Sequence, residues 1–237
     1  MITLKGKNVL ITGASGGLGR EFCNQLIGEN INLYITDKGE SELLLLQKEL
    51  LENGMECKVK VADFNEGIEP LREYFDSVDI LINCAGVYIE DSLENLTIDD
   101  YDKLFNVNVK SVFALIKEVS VNMKKHRWGR IINIGSNSGY IGTKNRSLYC
   151  STKHAVLGLS RAVHQELKHY NIKTFCFSPG GLQTNMGKKI DPTEYPLFIE
   201  PNELVQYIIH TIKYDSHMVL DEVKINRMGV NLDNKIK

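Results

Sequence analysis

Short apolar runs alternate with stretches of helical spacing along most of this chain. Asn8-Val9-Leu10-Ile11 is the first run, of the kind shown by a strand buried on both faces. It leads into Thr12-Gly13-Ala14-Ser15-Gly16-Gly17-Leu18-Gly19 and then an amphipathic stretch, Arg20 to Glu29, that turns Phe22, Leu26 and Ile27 inward. Ile31 to Thr36 predicts a second strand ending at Asp37, and Cys57 to Val61 a third ending at Ala62-Asp63. Between them Ser41 to Asn53 reads as a helix with Leu43, Leu44, Leu46 and Leu50 apolar, stopped by Gly54. Glu66 to Phe75 predicts another helix, Asp79 to Asn83 a fourth strand, and Ile98 to Lys124 one long helix. Arg130 to Ile134 and Lys173 to Phe177 supply the fifth and sixth strands, on either side of a helix from Tyr149 to His169. Ser178-Pro179-Gly180-Gly181 breaks the sixth; a helix opens at Pro201 and runs to about Tyr214, and Met218 to Ile225 makes a last strand before the polar ending 231–237.

Repeated strand and helix units with short connections predict an α/β fold: a doubly wound parallel sheet of about seven strands flanked by helices on both faces. Ligands of such sheets gather at the carboxyl ends of the strands, where each polar or glycine-rich segment falls. With 237 residues, 43% of them hydrophobic and 24% charged, the chain is expected to form a single domain over 1–237.

Charge narrows the partners. The net charge of -2 comes from cations scattered among carboxylates, with no basic face for a phosphate backbone, so nucleic acid is not expected. No apolar run approaches the roughly 20 residues that cross a bilayer, and the N-terminus carries no signal-like segment, so a cytoplasmic protein without membrane attachment is expected. Cys23, Cys57, Cys84, Cys150 and Cys176 are odd in number and widely spaced, which suggests neither a disulfide framework nor a metal site. Cys150 neighbours Tyr149, but no histidine is identified to activate it as a nucleophile.

The candidate chemistry centres on Tyr149-Cys150-Ser151-Thr152-Lys153. Four residues on a helix bring the lysine ammonium beside the phenol, where a positive charge favours loss of the phenol proton. A tyrosine so placed can act as an acid or base near neutral pH. The strand, glycine-rich turn and helix at 8–29 suit a pyrophosphate held by backbone N–H groups at the helix N-terminus; an ordinary glycine-rich loop is the alternative. Asp37 stands where a carboxylate accepts hydrogen bonds from an adenosine ribose and repels a 2'-phosphate, which favours NAD(H), with NADP(H) possible through Lys38; it can also simply begin the Asp37-Lys38-Gly39 turn.

Taken together, in order and at their spacings, these segments resemble the short-chain dehydrogenase/reductase family from about Gly6 onward, in its single-domain Rossmann-like form. The resemblance implies that Thr12, Gly13, Ser15, Gly17, Leu18 and Gly19 hold the cofactor phosphates, Asp37 the ribose, and Asp63 and Phe64 the adenine. It assigns Asn83, Ala85 and Gly86 to the family's Asn-Asn-Ala-Gly segment, with Cys84 in place of the second asparagine, and Pro179, Gly180, Leu182 and Thr184 to the nicotinamide carboxamide. Asn108, Ser136, Tyr149 and Lys153 match its catalytic set, Asn108 placing a water that relays the proton, and Tyr149 and Lys153 also contact the cofactor. Ser136 is preferred to Ser138, and Asn108 to Asn106.

The implied activity is interconversion of a secondary alcohol with a ketone or aldehyde on a small polar substrate, in a homodimer or homotetramer. A ketoreductase acting on acyl-carrier-protein thioesters is an alternative, disfavoured by the absence of an Asp-Gly-Gly ending; a cofactor-binding scaffold without turnover is another. Substrate choice falls to 87–95, to 137–148 and to a lid over 183–200. Within 137–148, Lys144 and Arg146 are candidates for a substrate phosphate or carboxylate, or belong to a solvated loop.

Overall fold

The computed structural model describes residues 1–229; the polar ending at 231–237, with the question of how the chain terminates, lies outside them. Seven parallel strands form one sheet in the order β3-β2-β1-β4-β5-β6-β7. They are β1 (Asn8–Thr12), β2 (Asn32–Asp37), β3 (Cys57–Val61), β4 (Ile80–Asn83), β5 (Gly129–Ile134), β6 (Ile172–Pro179) and β7 (Glu222–Ile225). The order reverses between β1 and β4, which opens a crevice above their carboxyl ends.

Each strand divides its apolar residues between two cores, because successive side chains point to opposite faces. Val9, Ile11, Leu33, Ile35, Ile80 and Ile82 pack beneath α1 (Gly17–Gln25), α2 (Glu40–Glu52) and α7 (Pro201–Lys213). Leu10, Tyr34, Leu81 and Ile131 face the other way, against α4 (Ser111–His126) and α5 (Ser147–Leu167), with α3 (Ile98–Phe105) packed on α5. That explains why the strands read as continuous apolar runs rather than alternating ones.

Three predicted elements come out differently. The 66–75 stretch forms only a 3-10 turn at Glu69–Tyr74, because Pro70 carries no N–H and Gly67 bends the entry at φ 141. Tyr74 still buries its ring, stacked 4.6 Å from Tyr34. The last strand shrinks to four residues: Met218 and Leu220 are exposed, and only Cys176 to Pro179 of β6 remain available to pair with it. The long helix after Ile98 is interrupted by a π-helical turn at Asn106–Lys110, an inserted residue that local sequence does not announce.

Helix α4 is anchored by Leu115, fully buried in the second core. Leu115→Ala should cost about 2–5 kcal/mol of stability, read as a lower urea midpoint with an unchanged slope.

Candidate active site

All strands point the same way, so their carboxyl-terminal connections share one rim, and there they enclose a cleft of about 1090 Å³. One end is built by the turn after β1. Gly13 adopts φ 64 and lies so close to the chain after β4 that a Cβ there would sit 2.7 Å from Ala85 Cα. A Cβ on Gly19 would stand 2.1 Å from the Gly13 carbonyl. No side chain caps the first turn of α1, and no acidic residue stands in it. The N–H groups of that turn are therefore open to an anion, with the helix dipole favouring one.

Asp37 ends β2 beside this turn. Its Oδ2 accepts hydrogen bonds from the Ser15 N–H at 3.1 Å and the Ser15 hydroxyl at 2.6 Å, and its Oδ1 accepts the Lys38 N–H at 2.7 Å. Of the residues named from sequence, Gly13, Ser15, Gly17, Leu18, Gly19, Asp37, Asp63, Phe64, Ala85 and Gly86 line the cleft. So do Ser136, Tyr149, Lys153, Pro179, Gly180, Leu182 and Thr184. A long crevice with a bare helix N-terminus at one end and the Asp37 carboxylate beside it fits a nicotinamide dinucleotide.

Thr12, Asn83 and Asn108 are brought to the same region but stand behind the cleft wall. Thr12 Oγ1 accepts the N–H groups of Cys84 and Ala85, both at 3.1 Å, tying the end of β1 to the chain leaving β4. Asn83 Nδ2 donates to Asn133 Oδ1 at 2.8 Å, and Asn133 Nδ2 to Ser160 Oγ at 2.9 Å, a buried ladder from β4 through β5 to α5. Asn108, in the π-helical turn, accepts the Val87 N–H at 2.8 Å and donates to the Val87 carbonyl at 2.9 Å and to Thr152 Oγ1 at 3.2 Å. Asn106 points elsewhere, towards Asn65.

Helix α5 places Tyr149 and Lys153 one turn apart. Lys153 is 7% exposed; its ammonium donates to the Ile134 carbonyl at 3.0 Å and lies 5.7 Å from the centre of the Tyr149 ring. Ser136 ends the turn after β5 and accepts the Ser138 N–H at 3.1 Å. Tyr88 packs edge-on against Tyr149 at 4.9 Å. Between Gln183 and Ile199, whose backbones meet, the chain loops out over the rim as α6 (Asn185–Ile190) and a further turn. Arg227 holds this loop through Glu194 at 3.1 Å and lies 5.2 Å from the Phe198 ring.

Arg227 escaped the sequence reading: it carries no motif and reaches the cleft only through the path of its loop. Tyr88 falls within the 87–95 segment expected to set substrate choice, but nothing in that segment singles it out. Lys144 is exposed and outside the cleft lining, whereas Arg146 lines it.

The fold and this cleft define a dinucleotide-binding α/β enzyme. The sequence model of the short chain dehydrogenases matches residues 7–195, and the chain belongs to that family of oxidoreductases. It is 31% identical over 192 residues to the 3-oxoacyl-[acyl-carrier-protein] reductase FabG of Salmonella typhimurium, covering 80% of this chain and 79% of that one. An uncharacterized oxidoreductase of Staphylococcus saprophyticus is 26% identical over 232 residues, 95% of this chain and 99% of that one. A short-chain dehydrogenase from Sphingobium yanoikuyae, solved in complex with NADPH, superposes with a TM-score of 0.82 at 25% identity, covering 93% of this chain and 87% of that one.

Cys84 also lines the cleft, and burial pushes its thiol up to about 12, with nearby Lys153 only partly offsetting that. The thiolate that reacts with alkylating agents forms only as pH approaches that value. Native protein at pH 8 should therefore show almost no iodoacetamide adduct at Cys84 by mass spectrometry, and a full adduct after unfolding in urea.

Proposed function

We propose that this single-domain chain is an NAD(P)(H)-dependent oxidoreductase that interconverts a secondary alcohol with a ketone or aldehyde on a small polar substrate. The observation that carries the reading is the placement of Tyr149, Lys153 and Ser136 in one cleft with the uncapped glycine turn. The nicotinamide ring supplies or accepts the hydride when bound. Gly13, Ser15, Gly17, Leu18 and Gly19 would hold the phosphates, Asp37 the ribose, Asp63 and Phe64 the adenine, and Pro179, Gly180, Leu182 and Thr184 the carboxamide end.

The chain's own chemistry is proton transfer and placement. Tyr149 gives or takes the hydroxyl proton. Lys153, fixed by the Ile134 carbonyl, sets a positive charge near the phenol oxygen as negative charge develops there. Ser136 directs its hydroxyl to the substrate oxygen. Thr12 and Asn83 act from behind, keeping the ends of β1 and β4 in register, and Asn108 fixes the Val87 backbone and, through Thr152, the first turns of α5. The segment 183–200 serves as a lid that excludes water.

Asp37 favours NAD(H), because its carboxylate would face a 2'-phosphate at close range; Lys38 is the group that would admit NADP(H). Exposed Phe113 and Val121 on α4 support pairing of copies through the long helices. A second reading, reduction of 3-oxoacyl thioesters, is supported by the match to the Salmonella reductase. Turnover of acetoacetyl-CoA with NADPH, faster than of any small alcohol or ketone, would favour it.

Tyr149→Phe removes the exchangeable proton and little else. The variant should lose at least about 10²-fold in kcat while titrating NADH or NADPH with the wild-type Kd. Undiminished turnover would rule out Tyr149 as the acid/base.

A further inference from the structure

Arg146 lines the cleft yet has no part in the chemistry above. It precedes Tyr149 by three residues and Lys153 by seven, a spacing that sets all three on one helical face. As the N-cap of α5 it makes no capping hydrogen bond, and the first turn of that helix contains no acidic residue. A cation at the positive end of a helix dipole is the opposite of what the helix favours. Local rules are broken in this way mainly where function requires it.

The surrounding loops hold Arg146 in place. Asn145 takes the left-handed conformation at φ 62, and its carbonyl accepts the Asp91 N–H at 3.0 Å, clasping the loop after β4 to the loop before α5. Arg146 Nη2 lies 3.3 Å from Glu90 Oε2, and its guanidinium carbon 5.6 Å from the centre of the Tyr88 ring. Tyr88 donates its phenol proton to Glu90 and touches Tyr149 with its ring. Burial and Glu90 hold the Tyr88 phenol well above its ordinary range, so it remains a donor. Arg146 Nε is buried with no hydrogen-bond partner. Glu90 lies outside the cleft lining and restrains the guanidinium from its outer side.

We infer that Arg146 binds a carboxylate of the substrate, so that the substrates are short hydroxy acids and the matching oxo acids. The inference rests on the oxidoreductase reading and names the substrate class of that same site. Tyr88, between the guanidinium and Tyr149, sets the distance from the carboxylate to the reacting carbon. Glu90 is the internal carboxylate with which the substrate competes. A planar monoanion suits one guanidinium fork already partly neutralised. A phosphate dianion would call for a second cation, and Lys144, the neighbouring candidate, is exposed outside the cleft.

The test uses the full chain loaded with NAD or NADP and pairs of lactate, 3-hydroxybutyrate and gluconate with their methyl esters. Thermal-shift titration measures binding, and turnover is followed in parallel. The wild type should bind at least one acid about tenfold or more tighter than its ester. In Arg146→Gln that ratio should fall towards one, in Arg146→Lys it should be intermediate, and in Glu90→Gln, at a partly exposed residue, it should rise. Equal binding of every acid and its ester, or a preference unmoved by Arg146→Gln and Glu90→Gln, would overturn the inference. Acid binding that depends on Arg146 without turnover of any pair would uphold the carboxylate site and instead sink the oxidoreductase reading.

Discussion

Two parallel strands cannot be joined by a tight turn; the chain must cross back over the sheet, here through a helix or a long loop, before it pairs again. That constraint shapes the molecule. It sends every strand of the seven in one direction and gathers the connections that leave them on a single rim. It also buries both sheet faces, which is why β1 and β4 are apolar between their end residues and why the polar members of β5, Arg130 and Asn133, are hydrogen-bonded where they are buried. The glycine turn, Asp37, Ser136 and the 183–199 loop are distant in sequence and neighbours in space for this one reason.

The rim becomes a site because polar groups behind it fix its parts against one another. Thr12 joins the ends of β1 and β4, and the Asn83–Asn133–Ser160 ladder ties β4 and β5 to α5. Asn108 reaches the Val87 backbone and Thr152 from the π-helical turn. Buried hydrogen bonds of this kind contribute about 1 kcal/mol each to stability, less than a buried leucine side chain. Their larger effect is geometric, since leaving any partner unsatisfied is costly and few alternative arrangements satisfy all of them.

The architecture was legible because buried parallel strands and glycine turns leave unambiguous patterns. Tyr149 and Lys153 were legible because helical spacing alone puts them side by side. The π-helical turn was not: a bond that skips one further residue changes no apolar spacing enough to be read in Ile98 to Lys124. At Glu69–Tyr74 the apolar spacing has helical periodicity, but Pro70 and Gly67 within it limit the segment to a 3-10 turn. Thr12 and Asn83 were legible as members of a motif, but not that their side chains turn inward, since a motif records position and not direction. Arg146 was a candidate anion ligand alongside Lys144, and only the left-handed turn at Asn145 and the clasp to Asp91 separate the two.

The rim is proposed as a nicotinamide dinucleotide site with Asp37 at its ribose end. Titration of the full chain with NADH and NADPH in parallel, followed by cofactor fluorescence, tests it most directly. Saturable binding with NADH the tighter ligand is expected, and a preference that narrows or reverses in Asp37→Ala. Binding of neither dinucleotide would contradict it.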